Sequence, residues 1–272
     1  MKRLLPLLAL AALASTLAAC GGGGGSNNTT STQASNIPNP IVWCVDTTYP
    51  PAESIVNGKA AGYDIDIANA ISKQLGSTAQ IKTTGFTVII PALKQKKCNA
   101  IISSMTITPE RAKQVHFSPY LDVGTFLMVK KGNPSNVTDV ASLSGKSAAV
   151  EAATTQLAAL QAENKTLKKQ GKPQITIKSY PADTSAAAAI QAGKVDAYLA
   201  DATPVLYYIR TTGGKFETAG KQVGIAPEGV ATRIGDPLGA QINNAIQALY
   251  LNGKMKTILA KWQAAQFALK NQ

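Results

Sequence analysis

The segment Ile101–Tyr120, IISSMTITPERAKQVHFSPY, runs an apolar, strand-like stretch directly into Ser103, Ser104, Thr106 and Thr108, with Arg111 three residues further on. Hydroxyls are short donors and acceptors, and a guanidinium is a planar fork suited to a carboxylate. No cysteine nucleophile or histidine base stands among them. This chemistry holds a small zwitterion rather than breaking bonds. The chain has one histidine, His116. It has no partner at metal-ligand spacing, so no metal and no cofactor is expected. In a Ser-His-Asp arrangement it would have to be the base, yet it falls in an expected helix-to-turn segment and reads as structural.

The elements that must position these groups alternate strand with helix. Ile41–Val45 is an apolar strand ending at Asp46, and Tyr49-Pro50-Pro51 forces a loop. Gly62–Leu75 reads as a helix with Ile65, Ile67, Ala68 and Ile71 on its apolar side. Asp64 and Asp66 complement the positive end of its dipole, and at a spacing of two they do not face each other. Ile81–Phe86 reads as strand, Val88–Lys97 as helix and Ala100–Ser103 as the next strand. Such alternation gives a mostly parallel sheet with helices on both faces, and ligands bind beyond the carboxyl ends of its strands. Asp46, Phe86 and Ser103–Thr106 all fall at such ends.

A second unit follows. Thr125–Lys130, Ser147–Val150, Ile175–Ser179 and Ala197–Ala200 read as strands. Thr154-Thr155-Gln156 opens a helix through Lys169, Asp183–Ala192 is an alanine-rich helix, and Asp201 ends the last strand before Pro204–Ile209. Val223–Ala226 is strand-like again, and two amphipathic helices close the chain, Leu238–Leu251 and Lys254–Trp262. The C-terminal part is expected to rejoin the first unit, giving two crossings and no internal repeat.

The start of the chain reads as an export signal. Lys2 and Arg3 precede an apolar run from Leu4 to Leu13 and then Leu17-Ala18-Ala19-Cys20, too short to span a membrane as a helix. Cysteine after Leu-Ala-Ala resembles the bacterial lipoprotein box, which implies that residues 1–19 are removed and Cys20 is acylated. Residues 20–37 then read as a tether rich in Gly, Ser, Asn and Thr, with a reach of about 20–25 Å. The formal net charge is +12. Lys165, Lys168, Lys169 and Lys172 read as a solvated helix face and loop. No aromatic residues interleave with them, so nucleic acid is not an expected partner. Beyond Cys20 there are two cysteines, Cys44 and Cys98. An export compartment permits a disulfide, but the expected register sets them several residues out of step on neighbouring strands, so two buried free thiols are expected. Sequons at Asn27, Asn28, Asn136 and Asn164 are read as chance.

Three stretches together, GYDIDIANAISKQLG (62–76), IPALKQKKCNAIISSMTITPERAKQVHFSPY (90–120) and GKVDAYLADATPVLYY (193–208), resemble the polar-amino-acid solute-binding proteins of ABC importers, including the lysine-arginine-ornithine and histidine binders. The likeness runs from about Ile41 to Trp262. It implies a two-lobed periplasmic-binding-protein fold of type II, each lobe a doubly wound mostly parallel sheet, joined by two crossing strands. Lobe I would be 38–124 with 223–272 and lobe II 125–222. It also implies a monomer outside the bacterial inner membrane, held by its lipid, which delivers a free amino acid to permease subunits.

The resemblance assigns roles position by position. Arg111 matches the arginine that forks onto the ligand α-carboxylate, with Thr106 and the Thr155 N–H completing that anion site. Asp201 matches the carboxylate that meets the α-ammonium, assisted by the Ser104 carbonyl and the Thr106 hydroxyl. Closure would complete both charge pairs. The plainer alternatives are a salt bridge to Glu110 for Arg111 and a helix N-cap for Asp201. Asp46, Tyr49, Phe86, Ser103 and Gln156 would line the side-chain pocket. Two aromatic faces suit an aliphatic stem or a guanidinium, and Asp46 could pair a distal cation. That favours arginine, lysine, ornithine or histidine over glutamine, other neutral polar amino acids or opines. Asp46 also stands at this place in neutral binders.

This chain departs from the family pattern at three places. Ala52 stands where an aromatic is usual, which would thin one wall of the cleft. HFSPYLD is one residue short, which would tighten the loop before the first crossing. Ala152-Ala153 replace Gln-Gly, so Ala153 must accept the φ that glycine normally adopts. Two other classes compete. Some periplasmic cyclohexadienyl dehydratases resemble the family and need a general acid, for which Glu151 and Asp201 are the candidates. A sensory module would need a separate signalling partner.

Overall fold

The computed structural model describes residues 37–270. The expected signal segment, Cys20 and the tether to Asn36 lie outside the described residues. In chain order the elements are strand β1 (Ile41–Val45), a hairpin-like trio β2 (Thr48–Tyr49), β3 (Glu53–Val56) and β4 (Lys59–Ala61), helix α1 (Tyr63–Gln74), β5 (Ala79–Thr83), α2 (Phe86–Lys94), β6 (Ala100–Ile101), α3 (Pro109–Ala112) and the long β7 (His116–Lys130). There follow β8 (Ser147–Glu151), α4 (Thr155–Lys169), β9 (Thr176–Tyr180), α5 (Asp183–Gln191), β10 (Ala197–Asp201), α6 (Ala202–Thr211), the 17-residue β11 (Phe216–Thr232), α7 (Leu238–Leu251) and α8 (Lys254–Lys261).

Eight strands form one ladder in the order β5-β1-β6-β11-β7-β10-β8-β9, while β2, β3 and β4 make a small separate sheet. The outer thirds are parallel, β5-β1-β6 and β10-β8-β9, as strand–helix alternation demands. Between them β7 and β11 run antiparallel, so what the sequence suggests as two sheets is one continuous ladder. Their pairing slips between Ala219 and Val223, between Val223 and Ala226, and between Glu228 and Gly229. Such irregularities bend and twist a ladder locally.

Period-two burial sorts the side chains into layers. Ile41, Trp43 and Val45 face α1, α7 and α8, with Ile67, Ile71, Ile246 and Leu259 in the same cluster, while Cys44 faces Ile89 and Leu93 of α2. In the other half Ala197 and Leu199 join Val150 and Leu160, and Tyr198 and Ala200 join Ala186, Ile190 and Val205. At the entry to α1 only glycine fits. Gly62 has φ +147°, and a Cβ there would lie 1.9 Å from the Ala52 carbonyl oxygen.

Several expectations are corrected. Cys44 and Cys98 form a disulfide with Cα atoms 5.7 Å apart. Cys98 is not on a strand but in the turn after α2, outside the β1–β6 register, and that turn places it in the same apolar cluster as Cys44. Phe86 is the first residue of α2 rather than a strand end, because β5 stops at Thr83. His116 opens β7 instead of sitting in a helix-to-turn segment, and Ser118 to Asp122 continue the same strand, so no loop precedes the crossing. Asp64 and Asp66 do stand in the first turn of α1, as the dipole reading expects, and Asp64 has a further role. It is fully buried and accepts the Ser104 N–H at 2.8 Å. Asp66 pairs with Lys261 and the Trp262 indole N–H, both at 2.7 Å. Ala52 is fully buried in the core cluster rather than on a cleft wall. Lys165, Lys168, Lys169 and Lys172 are exposed, as a solvated face requires.

Candidate functional site

One narrow cavity is lined by Asp46, Tyr49, Phe86, Ser103, Ser104, Thr106, Arg111, Thr155, Gln156 and Asp201. All ten of the residues singled out from the sequence are therefore in one place. Glu53, Glu151 and Thr154 line it too. Strand ends supply most of the lining: Asp46 follows β1, Ser103 and Ser104 follow β6, and Glu151 and Asp201 end β8 and β10. The N-termini of α2 and α4 supply Phe86 and Thr155.

Arg111 is carried by α3, whose N-cap Thr108 accepts the Arg111 backbone N–H at 3.2 Å. This fixes the short helix that aims the side chain. Its Nη1 donates to the Thr106 carbonyl at 2.8 Å and its Nη2 to the Ala153 carbonyl at 3.1 Å, and its guanidinium lies 5.3 Å from the Phe86 ring centroid. Among the described residues no carboxylate, Glu110 included, pairs with it. Of its five N–H groups, the two bonds described leave others for a planar anion. Burial lowers the Arg111 pKa, opposed by the charges of Asp201 and Glu228.

Ala153, whose carbonyl accepts from the Arg111 guanidinium, has φ +63°. A Cβ in that region costs about 1–2 kcal/mol, so the glycine-like backbone is kept here without glycine. The next residue, Thr154, caps α4 by accepting the Leu157 N–H at 3.2 Å. Thr155 and Gln156 thus open a 15-residue helix whose first N–H groups and dipole favour an anion.

Asp201 sits at the N-cap position of α6 but makes no capping bond with its side chain. Instead Tyr49 Oη donates to Oδ2 at 2.8 Å and Gln156 Nε2 donates to Oδ1 at 2.6 Å. The Asp201 N–H returns to Tyr49 Oη at 3.1 Å. Tyr49 is therefore more than an aromatic wall: its hydroxyl joins the two halves of the chain at the carboxylate. Burial raises Asp201 to about 6 against the downward pull of Tyr49, Gln156 and Arg111.

Asp46 is held by its own neighbourhood. Oδ1 accepts the Thr48 N–H at 3.0 Å and the Thr48 hydroxyl at 2.7 Å, and Oδ2 accepts the Phe86 N–H at 2.7 Å. It caps the start of α2 and sets Phe86 in place. Burial nevertheless raises its pKa, the three bonds opposing the shift. Ser103 Oγ accepts the Asp46 N–H at 3.0 Å and donates to Glu53 at 2.8 Å.

Around this wall lie acids to which the sequence assigned no part in the site. Glu53 is fully buried on β3, in the stretch read as loop, and burial with the Asp64 charge holds it well above the ordinary range. Asp64 is raised by burial to about 6, the Ser104 N–H among the groups opposing the shift. Glu228 on β11 is raised in the same direction, by burial and by Asp201 and Asp64. Its strand was legible only as Val223–Ala226, which is why it was missed. Tyr63 and Ser104 share a hydroxyl–hydroxyl hydrogen bond at 2.9 Å. Among the described residues no group of three or more His, Cys, Asp or Glu side chains has the geometry to hold a metal.

An unspent guanidinium fork, a helix N-terminus and a buried carboxylate around one small cavity make a receptacle for a zwitterion. The sequence model of the bacterial extracellular solute-binding proteins, family 3, matches residues 41–265. The chain belongs to that family. Its fold is the type II periplasmic-binding-protein fold. The ABC transporter arginine-binding protein 1 of Escherichia coli (strain K12) is 31% identical over 233 residues, covering 80% of this chain and 88% of its own length. The structure of an ancestral arginine-binding protein bound to arginine is 34% identical, with a TM-score of 0.75 over 83% of this chain and 98% of that one. An ancestral arginine-binding protein bound to glutamine is 32% identical, with a TM-score of 0.76 over 84% and 99%.

Proposed function

We propose that this chain is the substrate-binding receptor of an ABC-type amino acid importer. Two lobes, 38–124 with 223–272 and 125–222, close on a free L-amino acid with a basic side chain and deliver it to permease subunits. The observation that carries this reading is the pairing of opposite charges in one cavity: Arg111, free of any described carboxylate partner, and Asp201, held by Tyr49 and Gln156. Arg111, Thr106 and the first turn of α4 take the α-carboxylate. Asp201, the Ser104 carbonyl and the Thr106 hydroxyl take the α-ammonium. Tyr49 and Phe86 flank the ligand stem, with Asp46, Ser103 and Gln156 shaping the rest.

The receptor acts outside the bacterial inner membrane as a monomer. Residues 1–19 are its signal peptide, and lipid on Cys20 with the segment to residue 37 tethers it. Among the described residues no helix is long and apolar enough to cross a membrane. A thermal-shift panel of amino acids tests the reading, since a ligand at 100 times its Kd adds about 2.7 kcal/mol to stability. Arginine, lysine, ornithine or histidine should raise Tm most, and a panel led by glutamine would move the assignment to a neutral ligand. The glutamine-bound ancestral protein supports that second reading. No turnover of prephenate is expected, and its consumption would establish the dehydratase class instead.

A further inference from the structure

The cavity is asymmetric in charge. The charges that bear on Arg111 come from Asp201, Glu228 and Tyr49, whereas those that bear on Glu151 come from Asp183, Asp46 and Asp201, and none from a cation. The three carboxylates whose charges bear on Glu151 are already held. Asp46 has three donors, Asp183 takes the Tyr198 and Tyr208 hydroxyls, and Asp201 has Tyr49 and Gln156.

Glu151 differs. It closes β8, lines the cavity and is only 4% exposed, yet its Oε1 has no hydrogen-bond partner. Only the Asp183 N–H supports its charged form. A buried, unpartnered carboxyl oxygen costs free energy unless something arrives to meet it. Its surroundings are acidic, so what meets it best is a cation.

Resting on the reading of the cleft as an amino-acid site, we propose that Glu151 is the specificity-determining carboxylate, receiving the positive charge at the far end of the ligand side chain. Asp46, committed to Thr48 and the start of α2, positions Phe86 and contributes only its field. Burial and the neighbouring carboxylates push Glu151 up to about 10, so the carboxyl is neutral at pH 7.5. A guanidinium or ammonium set against it stabilises the carboxylate, and the proton leaves to solvent. Binding a basic amino acid therefore releases close to one proton, whereas a neutral isostere releases none.

The test is isothermal titration of the protein at pH 7.5 in phosphate and in Tris, with L-arginine and with L-citrulline, its uncharged isostere. The difference between the two buffers counts protons. For the wild type, arginine should bind at least about 30-fold more tightly than citrulline and release about one proton. Glu151→Gln should lose at least about 30-fold toward arginine, keep citrulline within about threefold, and release no proton. Retained citrulline binding shows that the variant is folded, and the wild-type proton count requires no variant. Arginine binding without proton release, or a Glu151→Gln protein that keeps its arginine affinity, overturns the role of Glu151 while leaving an amino-acid receptor standing. Absence of binding by every basic amino acid, with citrulline and glutamine silent as well, overturns the receptor reading itself.

Discussion

Replacing Arg111 by alanine removes the cation on which the anion site depends. Three losses can be read from the structure: the fork itself, two bonds to the Thr106 and Ala153 carbonyls at 2.8 and 3.1 Å, and the contact with Phe86. Truncating one partner of a buried, hydrogen-bonded charge pair costs about 2–5 kcal/mol, because the other charge is left without compensation. That corresponds to roughly 30- to 5,000-fold in Kd. Arg111→Lys keeps the charge but not the planar fork, and should fall between the two proteins. Titration with L-arginine and with agmatine, which lacks only the α-carboxylate, separates the causes. Wild type should bind agmatine about as weakly as the alanine variant binds arginine, and the variant should lose little more on going to agmatine. Less than a tenfold loss, or agmatine bound as tightly as arginine by the wild type, would refute the assignment of Arg111 to the carboxylate.

Four further outcomes are expected. Asp201 must be ionised to hold an ammonium and is raised to about 6, so L-citrulline affinity measured by titration should be flat between about pH 7 and 8 and fall about tenfold per unit below pH 6, whereas arginine affinity should keep rising with pH because Glu151 must also lose its proton. The folded protein holds protons on Asp64, Asp201 and Asp183, at about 6, 6 and 7, that the unfolded chain gives up near pH 4. Stability should therefore decrease as pH rises from 5 to 8, seen as a falling Tm. The Cys44–Cys98 bridge closes a separation of 54 residues, and reducing it or substituting both cysteines should cost up to about 4 kcal/mol in denaturant melts. Ala153→Gly should add up to about 1 kcal/mol in the same assay by relieving the positive φ; a clear loss would mean that the alanine methyl packs usefully.

The alternation of strands and helices was legible because each element carries one clean period. Examples are Ile65, Ile67, Ala68 and Ile71 on α1, and the apolar run Ile41–Val45. The ends of those strands then placed Asp46, Ser103 and Asp201 together, since parallel sheets collect their carboxyl ends on one edge. Elements without a period were harder to read. Pro50 and Pro51, residues that favour a loop, interrupt the trio between β2 and β3 and hid Glu53. The crossing strands β7 and β11 are long, irregular and buried by turns, so only Thr125–Lys130 and Val223–Ala226 showed, and Glu228 was lost with the rest of β11. Phe86 was assigned to a strand because nothing local marks the start of α2. Its N–H is capped by Asp46, 40 residues away. The disulfide depends on a turn that swings Cys98 beneath β1, a tertiary event with no signal in either cysteine's neighbours.

The most direct test of a receptor that closes on a basic amino acid is isothermal titration of the protein, unfolded and refolded to strip carried-over ligand, against the twenty amino acids and ornithine. The account predicts that one basic amino acid binds with a Kd around 1 μM or below, about −8 kcal/mol or better, and at least tenfold more tightly than glutamine. Silence across the whole panel, or a preference for an apolar amino acid, would contradict it.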